Sequence, residues 1–218
     1  MRSNEIEKHK STLKLTDEQK EVLIGILLGD ATLETQNGGR TYRMKIEHSA
    51  KQRAYAEHLY KLFSDWARTK PWERKVTLNN GKTYTNIVFS TLSHPSLRFY
   101  AQQFYQGRVK VVPRLIGRWL TPKAIAYWFM DDGSIKSKQS KGVIFNTHGF
   151  QKQEVGRLIQ VLCGKFHLEA KFRKQKEGYQ IYVSGKSYES FTKLVLPHIL
   201  PEMMYKIPKP RRTQLPKM

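Results

Sequence analysis

The chain of 218 residues carries 39 Lys and Arg against 18 Asp and Glu, a formal charge of +21, with 39% apolar residues and one cysteine. That length and apolar content suit one large or two small domains with a sizeable core, while the lone Cys163 excludes a disulfide framework or cysteine-based zinc site and points to a reducing compartment. The apolar runs fall far short of the ~20 residues that span a bilayer, and the opening Met1 to Glu7 lacks a signal-peptide core, so membrane insertion and secretion are not expected.

The positive charge is spread over the whole sequence, as suits a large polyanion whose condensed counterions are released on binding. In chain order, a polar segment to about Lys14 reads as loosely structured. Thr16 then starts a helix as N-cap, with Gln19 as capping-box partner, and Val22, Leu23, Ile26 and Leu27 carry its apolar face to Asp30. Ala31 to Gln36 and Arg40 to Glu47 flank Asn37-Gly38-Gly39 as a β-hairpin with Arg40, Arg43 and Lys45 on outer positions. An amphipathic helix from about Gln52 to Ala67 follows, with Tyr55, Leu59, Leu62, Phe63 and Trp66 at helical spacing. A second hairpin pairs Lys75 to Leu78 with Thr83 to Thr91, and His94 to Tyr105 closes the series as a helix with Pro95 in its first turn.

Residues 106–121 read as a basic connector containing Lys110-Val-Val-Pro113. The series then recurs. Thr121 as N-cap and Pro122 at the first helical position start a helix that runs to Asp132. Ser134 to Lys138 and Gly142 to Asn146 form a hairpin, Lys152 to Phe166 a helix, Ala170 to Lys174 with Gly178 to Val183 a hairpin, and Ser187 to Leu196 the closing helix. The repeat separation of roughly a hundred residues is longer than solenoid periods.

Leu23 to Asp30 and Ile125 to Asp132 are thus variants of one pattern, an apolar helix ending in a carboxylate. A helix C-terminus disfavours an anion, so positive charge belongs there. Two such acids in one basic chain suggest a pair that holds divalent metal for phosphate chemistry. The seven histidines lack zinc-ligand spacing, so His48 and His148 read as structural or nucleic-acid contacts; Trp66, Trp128, Phe129 and Cys163 read as core.

The two motifs resemble the paired helices of the LAGLIDADG homing endonucleases, of the single-chain type with two repeats. Leu120 to Gly133 is the more specific copy, and Pro201-Glu-Met-Met-Tyr-Lys-Ile-Pro208 is similar to a closing motif of intron-encoded members. The resemblance runs from about Thr16 to Pro208. It implies an α+β fold of two pseudo-symmetric αββαββα repeats, each with a four-stranded antiparallel sheet, joined at the LAGLIDADG helices to form a DNA-binding saddle. The implied segments are a first repeat at 16–105, a basic connector at 106–120, a second repeat at 121–208 and a basic tail at 209–218.

By motif position the metal-binding acids fall on Asp30 and Asp132, with Asp131 a competitor that only the register excludes. Lys110 and Lys206 match the basic residues that accompany each metal site. The polar residue on the second hairpin strand falls on Lys45 or a neighbour, and on Asn146. One departure concerns the close helix approach: Gly25 and Gly29 lie four apart in the first copy, where the second has Tyr127 and Asp131, leaving Ala124, Ala126 and Gly133 as its small residues.

The implied activity is site-specific, double-strand DNA cleavage by a monomer using Mg²⁺, with Mn²⁺ as a substitute, since oxygen ligands and retained waters suit these ions. Candidate DNA contacts are Arg40, Arg43, Lys45, Lys75, Lys82, Lys136, Lys138, Asn146, Lys171, Arg173 and Lys174, most of them for phosphate and a minority for base edges. The alternatives are an intron maturase, whose partner is intron RNA, and a transcriptional regulator; neither needs the acids. The expected location is intracellular, in a mitochondrion or chloroplast if organelle-encoded and otherwise the cytoplasm.

Overall fold

The computed structural model describes residues 3–209. The basic tail expected at 209–218 lies outside them except for Lys209. The elements are α1 (Ser3–Thr12), α2 (Asp17–Leu28), β1 (Thr32–Glu34), β2 (Arg43–Ser49), α3 (Arg53–Leu62), β3 (Trp72–Thr77), β4 (Thr83–Ser90) and α4 (Leu97–Phe104) in the first half. A small antiparallel pair, β5 (Tyr105–Gln106) and β6 (Val109–Lys110), and a one-turn helix, α5 (Ile116–Trp119), lead to the second half. There α6 (Pro122–Asp132), β7 (Gly133–Ile135), β8 (Val143–Phe145), α7 (Lys152–Phe166), β9 (Ala170–Gln175), β10 (Gly178–Val183) and α8 (Tyr188–Val195) repeat the plan, followed by a 3₁₀ segment, Pro201–Lys206.

Each half contains a four-stranded antiparallel sheet, ordered β1-β2-β4-β3 in the first and β7-β8-β10-β9 in the second. One face of each sheet packs on helices. Leu33, Met44, Ile46 and Phe89 of the first sheet and Val143, Phe145, Ile181 and Val183 of the second join one core with the buried runs Val22 to Leu28 of α2 and Ala124 to Met130 of α6. Both motif helices start as their sequence dictates. Thr16 and Gln19 exchange hydrogen bonds of 3.1 and 3.0 Å, and Thr121 Oγ1 accepts from the Ala124 amide at 3.1 Å with Pro122 in the first turn. A Lys123–Glu18 ion pair of 2.7 Å ties the two N-terminal ends together.

Several elements differ from the sequence reading. The segment before Lys14, expected to be loose, forms α1, held by long-range bonds: His9 Nε2 meets Asp65 O at 2.7 Å and His94 Nε2 meets Lys10 O at 3.0 Å. The helix expected to reach Ala67 ends at Leu62; Ser64 and Asp65, poor interior helix residues, open a 3₁₀ turn that still buries Trp66. The helix expected from His94 starts at Leu97, because the His94 backbone is engaged in a bridge to Tyr42. The connector is structured as well. Glu154 and Arg157 of α7 clamp the Val112 N–H and C=O at 2.9 and 2.6 Å, which fixes the strand that delivers Lys110.

Candidate active site and nucleic-acid face

The site forms where α2 and α6 cross and end. Their approach requires glycine. A Cβ on Gly25 would stand 2.4 Å from Ala124 O and 2.9 Å from Tyr127 Cβ, and one on Gly29 would stand 2.4 Å from Asp131 Oδ2. The asymmetry expected from the two copies is therefore real: the glycines of the first helix accept the larger residues of the second.

This contact brings three acids together. The Asp30 side chain is 45% exposed, while that of Asp131 is fully buried. Asp131 Oδ2 accepts from the Asp30 backbone N–H at 3.0 Å, and its Oδ1 accepts from the Tyr55 hydroxyl at 2.7 Å. Burial, then the nearby Asp30 charge, holds the Asp131 carboxyl well above the usual carboxylate range, against the two hydrogen bonds. Burial and the same Asp30 charge push Asp132 from an ordinary 3.8 up to about 7, opposed by Lys110, Lys206 and Trp128. Trp128 Nε1 is buried and lies outside good hydrogen-bond geometry with any acceptor.

His48, buried on the helix side of β2, sits between Asp30 and Asp131. Its Nδ1 lies 3.5 Å from Asp30 Oδ2 and its Nε2 3.9 Å from Asp131 Oδ1, and its ring packs on Tyr55 at 4.8 Å. One ligand atom from each of Asp30, His48 and Asp131 can be found within 4.8 Å of the others. Opposite ring nitrogens face the two acids, so the imidazole fills the space between them as a bridge. Burial lowers the His48 pKa most, with the Asp30 charge opposing.

The positive charge that the helix ends require comes from the two expected lysines. Lys110 Nζ donates to Gly29 O and Ala31 O at 2.7 and 2.8 Å, on either side of Asp30. Lys206 Nζ donates to Met130 O and, at 2.8 Å, to Asp131 O, just before Asp132. Each amine thus satisfies carbonyls at the C-terminus of its own half's motif helix. Burial lowers both lysine pKa values, and the three aspartates oppose that shift. Two of three ammonium hydrogens are used, which leaves one donor on each lysine.

Strand register assigns the remaining candidates to faces. On the first sheet Arg43, Lys45 and Glu47 point away from the helices. Arg74 and Asn86 join them there, reaching Glu47 at 3.2 and 2.9 Å. Lys45 pairs with Glu47 at 2.9 Å and Arg43 with Glu34 at 2.8 Å. Lys75 alternates onto the helix side, so Arg74, which sequence reading passed over, takes its place on the outer face. Arg40 and Lys82 sit at the two hairpin turns, where Arg40 Nε donates to Asn37 O at 3.2 Å and the Lys82 amide to Asn80 Oδ1 at 3.1 Å.

On the second sheet Lys171 and Arg173 stand opposite Tyr182 and Gln180 on the outer face, and the amines of Lys136 and Lys171 lie 4.9 and 5.7 Å from the Tyr182 ring centre. Lys174, opposite Tyr179, falls on the helix side with Phe172, and Lys138 is exposed in the β7–β8 loop. Asn146 donates its backbone N–H to Asp132 O at 3.0 Å and accepts from Gln180 Nε2 at 2.6 Å. In the first sheet Thr32 pairs with Lys45, so continuing that register sets Asp30 opposite Glu47. The position matching Asn146 is therefore Glu47, a neighbour of the Lys45 expected from sequence. Counting hairpin register from each acid would have found it; helical spacing marked Tyr55 only as an apolar-face residue and gave no sign that its hydroxyl meets Asp131.

The LAGLIDADG DNA endonuclease family model matches residues 20–191. The chain belongs to the LAGLIDADG DNA endonuclease family. Probable intron-encoded endonuclease 1 of Wickerhamomyces canadensis is 34% identical over 205 residues, 91% of this chain and 87% of that protein. Cytochrome b mRNA maturase bI2 of Debaryomyces hansenii is 31% identical over 198 residues, 88% of this chain and 74% of that protein. Among solved structures, the homing endonuclease I-WcaI bound to its DNA recognition sequence matches with a TM-score of 0.88 at 31% identity, covering 94% of this chain and 92% of that one. The LAGLIDADG helices are thus α2 and α6, and the single-chain, two-repeat architecture is that of I-WcaI.

Proposed function

We propose that the protein is a site-specific double-strand DNA endonuclease whose cutting site is built on Asp30 and Asp132. One observation carries this. In a chain of net charge +21, neither acid forms an ion pair with Lys or Arg among the described residues, and the Asp30 charge raises the proton affinity of Asp132. The nearby lysines bond helix carbonyls instead, so the negative charge is left available to a cation. A carboxylate pair of this kind, hard and oxygen-only, fits Mg²⁺, with Mn²⁺ as substitute.

A bound divalent ion would supply charge neutralisation at the scissile phosphate and a more acidic water. Asp30, just past the end of α2, and Asp132, at the end of α6, would hold the ion. Lys110 and Lys206 keep the backbone beside each acid fixed and offer their remaining hydrogens to water or phosphate oxygen; as hydrogen-bonded ammonium groups they act as donors. The outer sheet faces form the DNA saddle, with Lys171, Arg173, Lys136, Arg74, Arg43 and Lys45 available to phosphates and base edges. Residues 16–105 and 121–208 each serve one half of the target.

The maturase relative favours a second reading, RNA binding in support of intron splicing, on the same fold. Selecting cleaved targets from a randomised DNA library in Mg²⁺, with intron RNA binding measured in parallel, separates the two. Enrichment of one long asymmetric DNA site supports the endonuclease. RNA binding with no enriched DNA site supports the maturase.

A further inference from the structure

We propose that Asp131, although it belongs to the second repeat and precedes Asp132, is the positioning residue for Asp30 of the first repeat. Three observations point across the interface. The Asp30 backbone N–H donates to Asp131 Oδ2 at 3.0 Å, and Gly29 leaves no room for a Cβ between them. The other Asp131 oxygen is held by the Tyr55 hydroxyl at 2.7 Å, and Tyr55 comes from α3 of the first repeat. His48, also of the first repeat, fills the gap between Asp131 and the Asp30 carboxyl. Both Asp131 oxygens thus serve the first repeat.

The chain turns from helix to strand at Asp30, where α2 has ended and its N–H has no partner within the helix. Asp131 fixes that amide, and with it the direction in which Asp30 presents its carboxylate. Nothing comparable is needed at Asp132, which is still inside α6. The two acids are therefore positioned by different means: Asp132 by its own helix, Asp30 by a side chain of the other repeat.

The kinetic arm of the test rests on the endonuclease reading; a second arm does not. With each strand of the target end-labelled, Asp30→Asn and Asp132→Asn identify the strand that depends more on each acid. Asp131→Leu, similar in size but unable to accept a hydrogen bond, is expected to slow the Asp30-dependent strand at least tenfold more than the other. Asp131→Asn, which keeps an acceptor, is expected to stay within about threefold of the parent, and Tyr55→Phe to fall between. Equal slowing of both strands, or selective slowing of the Asp132-dependent strand, overturns the proposal, as does an Asp131→Asn variant as slow as Asp131→Leu.

The second arm is amide hydrogen exchange on the uncomplexed protein. Protection of the Asp30 amide is expected to drop at least tenfold in Asp131→Leu, or in Asp131→Ala where the leucine variant does not fold, and to persist in Asp131→Asn. Unchanged protection overturns the proposal whatever the protein cleaves. A parent protein that cuts no DNA but shows the exchange result refutes the endonuclease reading alone.

Discussion

Asp132 joins proton binding to the proposed function. With its pKa raised from 3.8 to about 7, it retains its proton in the folded state over a range in which the unfolded chain has released it. The stability this lends is complete below about 3.8 and is lost as pH rises through about 7. In a chelator, thermal denaturation should therefore show the parent falling relative to Asp132→Asn between about pH 4 and 7 and running parallel above it. A parent and variant that track each other across that window would contradict the assigned environment. Cleavage should respond in the opposite sense, rising through neutral pH at limiting Mg²⁺ and shifting to lower pH as Mg²⁺ is increased, because the ion competes with the proton.

The lysines make a second residue-scale case. Lys206→Ala leaves Met130 O and Asp131 O without their donor, and Lys110→Ala does the same to Gly29 O and Ala31 O. Losing a charge-assisted bond of this kind costs about 1.5–3 kcal/mol, so urea titration should show both variants destabilised as well as slow. Full stability with slow cleavage would mean the amines act on substrate only. That positive charge must sit at these helix ends was legible from two acids at helix C-termini. That Lys110 and Lys206 provide it by bonding carbonyls rather than carboxylates was not, because sequence distance says nothing of which atom an amine reaches.

At the scale of elements, the α2–α6 contact decides the architecture. Gly25→Ala drives a methyl onto the Ala124 carbonyl, a backbone atom that cannot swing aside. Overpacking of that kind costs about 1–3 kcal/mol, and a midpoint lowered accordingly in denaturant is the expected result; an unchanged midpoint would mean that the helices are not in close contact. The helices and hairpins carrying strong local signals, Thr16-Gln19, Thr121-Pro122 and the alternating β2, were readable because capping and period-2 burial are local. α1 was missed because its hydrogen bonds go to Asp65 and His94, far along the chain. That Lys75 and Lys174 lie on the helix side was not legible, because β3 and β9 carry no alternation of burial from which to set register.

Over the whole molecule the two sheets present unequal charge. The outer face of the first carries Arg43, Lys45 and Arg74, but Glu34 and Glu47 are paired with them. The strands of the second, with Lys171 and Arg173, contain no acid at all. Each phosphate contact adds roughly one unit to the salt dependence of binding. Lys171→Ala and Arg173→Ala should each lower the slope of log K against log salt by about one, and Arg43→Ala by clearly less. Equal slopes for all three would mean that the glutamates release their partners on DNA.

The central claim is that one carboxylate from each LAGLIDADG helix makes a single metal-dependent cutting site. Its most direct test is to compare parent, Asp30→Asn and Asp132→Asn on the selected target, measuring binding in Ca²⁺ and double-strand cleavage in Mg²⁺. Both variants should bind like the parent and fail to linearise the target, at most nicking one strand slowly. If either linearises the target at the parental rate, that residue does not belong to the site.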